Sequence, residues 1–331
     1  MAIIGEVRGV PEPPEPSKGP GRRQRPPRAQ APEPWEPAAR RLSWSRTVAR
    51  EAVHRASVAE VLLTDVRALG GDRFVAAAQW PRSHPTFPHG PDGRHHPLMV
   101  AETLRQLGIY LPSRHFATPA GARFVIRDLF FALDPAAEPR AEHGATDVVC
   151  RAAVTDVRTT PCGRFVSGLR LDIRLLAGGT PFARAGGTAR FLAPEAYRTA
   201  RRAAPAAERP RAGVLARPAP RSVAVPAARD VLVVREAGIW RLDPADLRHP
   251  FFFDHWSDHV PGLVLLEAAR QAAALATEGV HTRPVGCRFR ALRFTEFAPP
   301  ARVECVPHGR TCVFRLRQAG ERTVVGVLQY P

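Results

Sequence analysis

The longest apolar segment of the chain follows Pro261-Gly262. Leu263, Val264, Leu265, Leu266, Ala268, Ala269, Ala272, Ala273, Ala274 and Leu275 are interrupted only by Glu267, Arg270 and Gln271. A helix that is apolar all round has to be buried all round, so the pattern predicts a central helix here. On a 3.6-residue period Arg270 and Gln271 fall within about 60° of Glu267, so the three form one polar spot inside a buried cylinder. A second helix is predicted from Pro97 to about Tyr110, with Pro at a helix-compatible first position and Pro112 beyond its end. Strand-like runs are predicted at 73–80, 123–133, 146–158, 164–176 and 181–192. They recur at 231–234, 239–242, 285–297, 301–307, 311–318 and 322–329.

The same order of elements therefore occurs twice, and the residues agree. A shift of 165 residues without a gap superposes His84-Pro85 on His249-Pro250, Phe87 on Phe252, Leu98 on Leu263, Glu102 on Glu267, Arg105 on Arg270 and Gln106 on Gln271. The chain reads as a tandem duplication, each unit a central helix followed by antiparallel strands, which is an α+β plan with a sheet wrapped round a helix. With 331 residues, two domains each burying its own core are expected. Their boundaries are set at 42–195 and 230–331, after a proline-rich tail over 1–41 too poor in large apolar residues to fold. Residues 196–229 are read as an Arg/Ala/Pro-rich linker.

Charge changes this picture less than its size suggests. The formal net charge is +17, yet the stretch 196–229 alone holds eight arginines against one acid, Glu208, so much of the excess sits on expected linker. With no interleaved aromatic or helix-turn-helix pattern, nucleic acid is not the expected partner. Nowhere do 18 uncharged apolar residues follow one another, so no membrane association is expected. The five cysteines lack a C-x-x-C pairing, so neither a disulfide framework nor a zinc site is indicated and a reducing cytoplasm fits. The oligomeric state stays open.

Glu267 is the leading site candidate. Burial should raise its pKa toward that of a general base while Arg270 opposes the shift, and the alternative is an ion pair that only fixes the helix. Arg270 could hold a phosphate or a carbonyl through its planar fork, with Gln271 beside it. Glu102 and Arg105 repeat the spacing in the first helix, where Glu102 is a second catalytic candidate or a first-turn acid favoured by the helix dipole. Gly262 opens the second helix, and its free N–H could stabilise an oxyanion. His249, like His84, precedes a proline and fits a loop-fixing role better than proton transfer. Asp254, His255, Asp258 and His259 match no helix-based ligand spacing, so no metal is expected. Phe251-Phe252-Phe253 reads as core or as the wall of an acyl tunnel.

The string F-x-x-D-x-x-x-D-H-V-P-G-L-V-L-L-E-A-A-R-Q-A beginning at Phe251 resembles the A-factor biosynthesis hotdog family, the γ-butyrolactone synthases. The resemblance extends to the first repeat through His54 to Asp65, Gln79 to Pro85 and His96 to Gln106, and covers roughly Leu42 to Pro331. It implies a tandem hotdog fold and an acyltransferase. A β-ketoacyl group would move from acyl carrier protein to the hydroxyl of dihydroxyacetone phosphate, a small phosphorylated three-carbon acceptor, without any cofactor. A more distant likeness to hotdog dehydratases fails at the catalytic histidine: counting back eight from Gly262 lands on Asp254, which is kept as a substrate-binding candidate with His249. Hydration, dehydration or hydrolysis of an acyl thioester is the rival within the fold, and a non-catalytic acyl-ligand regulatory protein is the rival outside it. If one site dominates, Pro261-Gly262 and the more apolar helix place it on Glu267 and Arg270.

Overall fold

The computed structural model describes residues 34–202 and 216–331. A short helix, α1 (Trp35–Ala39), precedes the first unit: β1 (Leu63–Gly70), β2 (Arg73–Pro81), α2 (Leu98–His115), then β3 (Arg123–Leu133), β4 (Ala145–Thr159), β5 (Val166–Ala177) and β6 (Thr180–Leu192). After α3 (Pro194–Ala200) the plan repeats as β7 (Val233–Glu236), β8 (Ile239–Leu242), α4 (Gly262–Ala276), β9 (Gly286–Ala291), β10 (Arg302–His308), β11 (Thr311–Gln318) and β12 (Glu321–Gln329). Alternation sets the strands: in β11 Cys312, Phe314 and Leu316 point to the core and Val313, Arg315 and Arg317 away from it.

All twelve strands form one sheet in the order β1-β2-β4-β5-β6-β3-β9-β12-β11-β10-β8-β7. The order reads the same from either end once the copies are matched, so the duplication is a pseudo-two-fold about the β3–β9 seam. That seam is antiparallel, pairing Asp128 with Arg290, Phe130 with Arg288 and Ala132 with Gly286. Helices α2 and α4 lie against the sheet. One continuous core runs through both units, from Val53 and Leu63 to Phe314 and Leu328. The expectation of two separate cores is therefore corrected: each half-sheet ends on the other's edge strand, and pairing those edges merges the interiors.

Three boundaries also move. Helix α2 continues through Pro112 to His115. The only intrahelical bond lost is the one Pro112 cannot donate to the Gly108 carbonyl, near the end of the helix and next to open space. Helix α1 falls inside the stretch expected to be an unfolded tail, where Trp35 receives the Arg151 guanidinium 4.5 Å from its ring. Helix α3 and the 3-10 turns Pro220–Val223 and Ala228–Asp230 fall inside the expected linker. Two of its arginines pair with acids elsewhere, Arg217 with Asp243 at 2.7 Å and Arg201 with Glu296 at 2.8 Å. Residues 1–33 and 203–215 lie outside the described residues. No helix of the described residues is long and apolar enough to cross a membrane.

β3 carries a bulge between Ile126 and Asp128 where it pairs with β6. Gly187 on β6 permits the close approach, because a Cβ there would lie 2.3 Å from the Asp128 carbonyl oxygen. Gly187→Ala is expected to force the strands apart and destabilise the protein by about 1–3 kcal/mol, measured by urea denaturation. An unchanged midpoint would show that the β3–β6 pairing tolerates a shift.

Candidate functional site

Each central helix carries a buried knot. On α4, Glu267 accepts from Arg270 Nε at 2.8 Å, Arg270 Nη2 at 2.6 Å and Gln271 Nε2 at 2.9 Å. Arg270 spends its remaining donors on the carbonyls of Thr282 at 3.0 Å and Val223 at 2.7 Å. Gln271 accepts from the Leu232 N–H and donates to the Asp230 carbonyl, both at 2.8 Å. On α2, Glu102 accepts from Arg105 Nε at 2.7 Å and Gln106 Nε2 at 2.6 Å, and Gln106 ties Leu62 N–H and the Glu60 carbonyl in the same way. His249 and His84 complete the two copies. Each Nδ1 accepts from two backbone N–H groups, and each Nε2 meets a buried acid, Asp230 at 2.7 Å and Glu60 at 3.1 Å.

The copies differ in what lies beside the knot. A cavity of about 990 Å³ opens along one face of α2, at Ala101, Leu104, Arg105 and Gly108, and reaches the start of α4 at Gly262, Leu263 and Leu265. Ala101, Leu104, Arg105 and Gly108 follow the i, i+3, i+4, i+7 spacing of a single helix face. The depth is apolar, with Ile109, Leu169, Leu171, Leu129 and Phe289, and the mouth is polar. Glu267, Arg270, Gln271 and His249 do not line it. Glu267 and Arg270, on which the working site is expected, are both 2% exposed, and their side-chain oxygens and nitrogens bond to each other, to Gln271 and to backbone carbonyls. At the pseudo-equivalent position, Arg283 reaches Glu138 and the His95 carbonyl, while His281 stacks on Tyr330 at 4.1 Å. Of the sequence candidates, Gly262, Arg105 and Asp254 line the cavity, and Glu102 lies behind Arg105, fully buried.

Several mouth residues carry no signal in the repeat. Arg55, 7% exposed, donates from Nε to Glu102 at 3.1 Å and from Nη1 to the Phe251 carbonyl at 2.7 Å, and pairs with Asp254 at 3.4 Å. The turns and hairpins of the two copies correspond at an offset of 170, Glu60 to Asp230 and Leu62 to Leu232, and at that offset Arg55 meets Val225. Comparing the copies in that second register would have found it. His54 stands with its ring edge on Phe124, at 5.3 Å. Desolvation first, then the charges of Arg105, His255 and Arg123, lower its pKa to about 4 even though part of the ring faces solvent. Arg123 has no carboxylate partner among the described residues and sits 5.7 Å from the Tyr197 ring. Arg105 and Arg123 thus make one electropositive corner, beside which His54 stays neutral at neutral pH.

A second cluster adjoins this corner at Tyr197. Tyr197 on α3 donates to Asp258, 2.7 and 2.9 Å from the two carboxylate oxygens, and Asp258 is 2.8 Å from His259 Nδ1. Arg201 joins Asp258 to Glu296, donating from Nη2 to Glu296 at 2.8 Å and to the Asp258 carbonyl at 2.9 Å. Among the described residues no group of histidine, cysteine and acidic side chains is arranged to hold a metal.

Glu102 is the most strongly perturbed carboxylate of the site. Burial pushes its pKa up, but Arg105 and Arg55 outweigh that and hold it at about 2. A carboxylate depressed below its usual 4.5 stabilises the fold fully above that value, and the contribution is lost as pH falls toward 2. The stability gap between wild type and Glu102→Gln is therefore expected to be constant at neutral pH and to narrow only below about 4.5, followed by urea denaturation. A gap that varies between pH 6 and 8 would contradict this. In the other knot, Arg270→Ala leaves Glu267 buried without its charge partner and is expected to cost about 3–5 kcal/mol. Arg270→Ala/Glu267→Gln should recover part of that loss in the same denaturation assay, and a loss of activity without loss of stability would point to catalysis instead.

The A-factor biosynthesis hotdog domain matches residues 38–193 and 229–298. A 2-oxo-3-(phosphooxy)propyl 3-oxoalkanoate synthase of Streptomyces virginiae is 36% identical over 271 residues, covering 79% of this chain and 87% of that protein. A synthase of the same name from Streptomyces griseus is 33% identical over 270 residues, covering 77% and 84%. Among solved structures, an acyl-ACP thioesterase from Bacteroides thetaiotaomicron aligns over 78% of this chain and 98% of its own, with 11% identity and a TM-score of 0.45. By the extent of the domain match and the identity to these synthases, the chain belongs to the A-factor biosynthesis hotdog family.

Proposed function

We propose that the chain transfers a β-ketoacyl group from an acyl carrier protein thioester to the hydroxyl of dihydroxyacetone phosphate, and does so in the cavity between α2 and α4. The carrying observation is that one cavity combines an apolar depth, a helix N-terminus in its wall and an electropositive corner at its mouth. The depth suits an acyl tail. The N–H groups of Gly262 and Leu263 precede the first bonded turn of α4, since Val264 and Leu265 are the first to donate back to the Pro261 carbonyl. They are available to a thioester oxyanion. A Cβ at residue 262 would meet only Ile126 Cδ1, at 3.7 Å, so packing does not require glycine there; a carbonyl approaching the backbone would.

Arg123 and Arg105 are the groups this reading assigns to the acceptor phosphate, in place of Arg270. Arg123, with no carboxylate partner among the described residues, keeps its donors for a ligand, whereas Arg105 gives Nε and Nη2 to Glu102 and has only Nη1 to offer. An acidic carrier protein would be drawn by the exposed arginines Arg127 and Arg293 of the same rim, near the 66% exposed Trp256. A thioester is already activated, so positioning, proton removal and oxyanion stabilisation suffice for the chemistry.

Purified protein incubated with a β-ketoacyl thioester and dihydroxyacetone phosphate is expected to form the ester, detected by mass spectrometry. Free acid or an enoyl product in its place would overturn the proposal in favour of hydrolysis or dehydration. Arg123→Ala is expected to raise KM for dihydroxyacetone phosphate about tenfold or more, as the loss of one charged hydrogen bond would, with little change for the acyl donor.

A further inference from the structure

Acyl transfer to a hydroxyl needs a base within reach of both the acceptor and the thioester, and neither Glu102 nor Glu267 qualifies. Glu102 is fully buried and shared by two arginines, and Glu267 does not line the cavity. His259 does line it. It stands three residues before Gly262, so chain geometry keeps the two within about 11 Å. Its Nδ1 is 2.8 Å from Asp258 Oδ1 and 3.3 Å from the Tyr197 hydroxyl, and its Nε2 makes no hydrogen bond among the described residues. Phe294 meets the ring edge-on at 4.8 Å and fixes its plane.

We propose that His259 is the general base of the acyl transfer, with Asp258 holding its Nδ1–H and thereby leaving the Nε2 lone pair to the acceptor hydroxyl. The inference rests on the acyl-transfer reading above. The acceptor O–H proton passes to Nε2 as its oxygen attacks the thioester carbonyl carbon. The C–O bond forms and the charge develops on the carbonyl oxygen beside the Gly262 N–H. Collapse breaks the C–S bond, and the proton on Nε2 goes to the departing thiolate, so ester and free thiol form with no proton gained or lost.

The surroundings fit a base that is neutral at neutral pH. Burial lowers the His259 pKa most, Asp258 raises it, Arg201 lowers it and Glu296 raises it, leaving it below the usual imidazole value. These groups, with Tyr197, are the charged and titratable ones that face the ring from α3 and from the loops on either side. Asp258 is itself a positioning residue. Tyr197 donates to it, and Arg201 bonds its carbonyl, so α3 clamps the dyad from outside.

The test compares wild type, His259→Gln and Asp258→Asn as full chains, using the N-acetylcysteamine thioester of a β-keto acid and dihydroxyacetone phosphate. Ester formation in His259→Gln is expected to fall by about 10²–10⁴-fold in kcat, with KM for both substrates nearly unchanged. Hydroxylamine, a nucleophile that needs no base, should still be acylated by that variant. Asp258→Asn removes the group that raises the histidine pKa, so the acid limb of its kcat/KM profile should move to lower pH along with a reduced kcat. Should His259→Gln fail to fold, the position of that limb in Asp258→Asn still decides. Full ester-forming activity in His259→Gln, or an unmoved acid limb in Asp258→Asn, would overturn the assignment while leaving acyl transfer standing. Wild type that makes no ester would overturn both.

Discussion

Two carboxylates, Glu102 and Glu267, are sealed inside the molecule at the second turn of its two central helices. A buried ionised carboxylate is tolerated only with charge and hydrogen bonds around it, and much of the architecture follows from that requirement. The arginine three residues on and the glutamine four residues on both return to it, and each then reaches beyond its helix. The glutamines bind the backbone leading into β1 and β7, and the arginines bind the carbonyls of Val53 and Val223. Each helix is thereby fixed to its own opening turns before any sheet contact is considered.

The same knot has diverged in what it supports. In the second copy its bonds run within α4 and to the backbone of Val223, Asp230, Leu232 and Thr282. In the first, Arg55 adds a second cation to Glu102 and carries the connection across to Asp254 and the Phe251 carbonyl of the other unit. Arg105 is left as the member that meets the cavity, opposite the start of α4. The site is thus assembled from both halves, with one knot supplying the cation and the other helix supplying its N-terminus.

The duplication was legible because the residues of the knot fall at one ungapped offset, and burial of both helices followed from their composition. What the offset concealed is physical. The second copy is shorter between its opening turns and His249, so Arg55 has no counterpart in the register that aligns the helices. Burial of Glu267 follows from the helix composition, but its hydrogen bonds to Arg270 and Gln271 depend on how the side chains fold back, which composition does not specify. Tyr197 and Arg201 lay in a stretch whose average composition resembles a linker; charge counts say nothing of where a single side chain lands. The cavity joins residues more than 100 positions apart, which periodicity does not register.

The β3–β9 seam places two pseudo-equivalent positions on one sheet, and the cavity lies at one of them. A pair of identical subunits joined this way would have to keep both alike, since any change to one would appear in the other. Covalent linkage removes that obligation. The other position holds a fastening, where Arg283 of the second half bonds Glu138 and the His95 carbonyl of the first. Substitutions there would act on the rigidity of the seam, so residues far from the acyl group could set how firmly the walls of the open cavity are held.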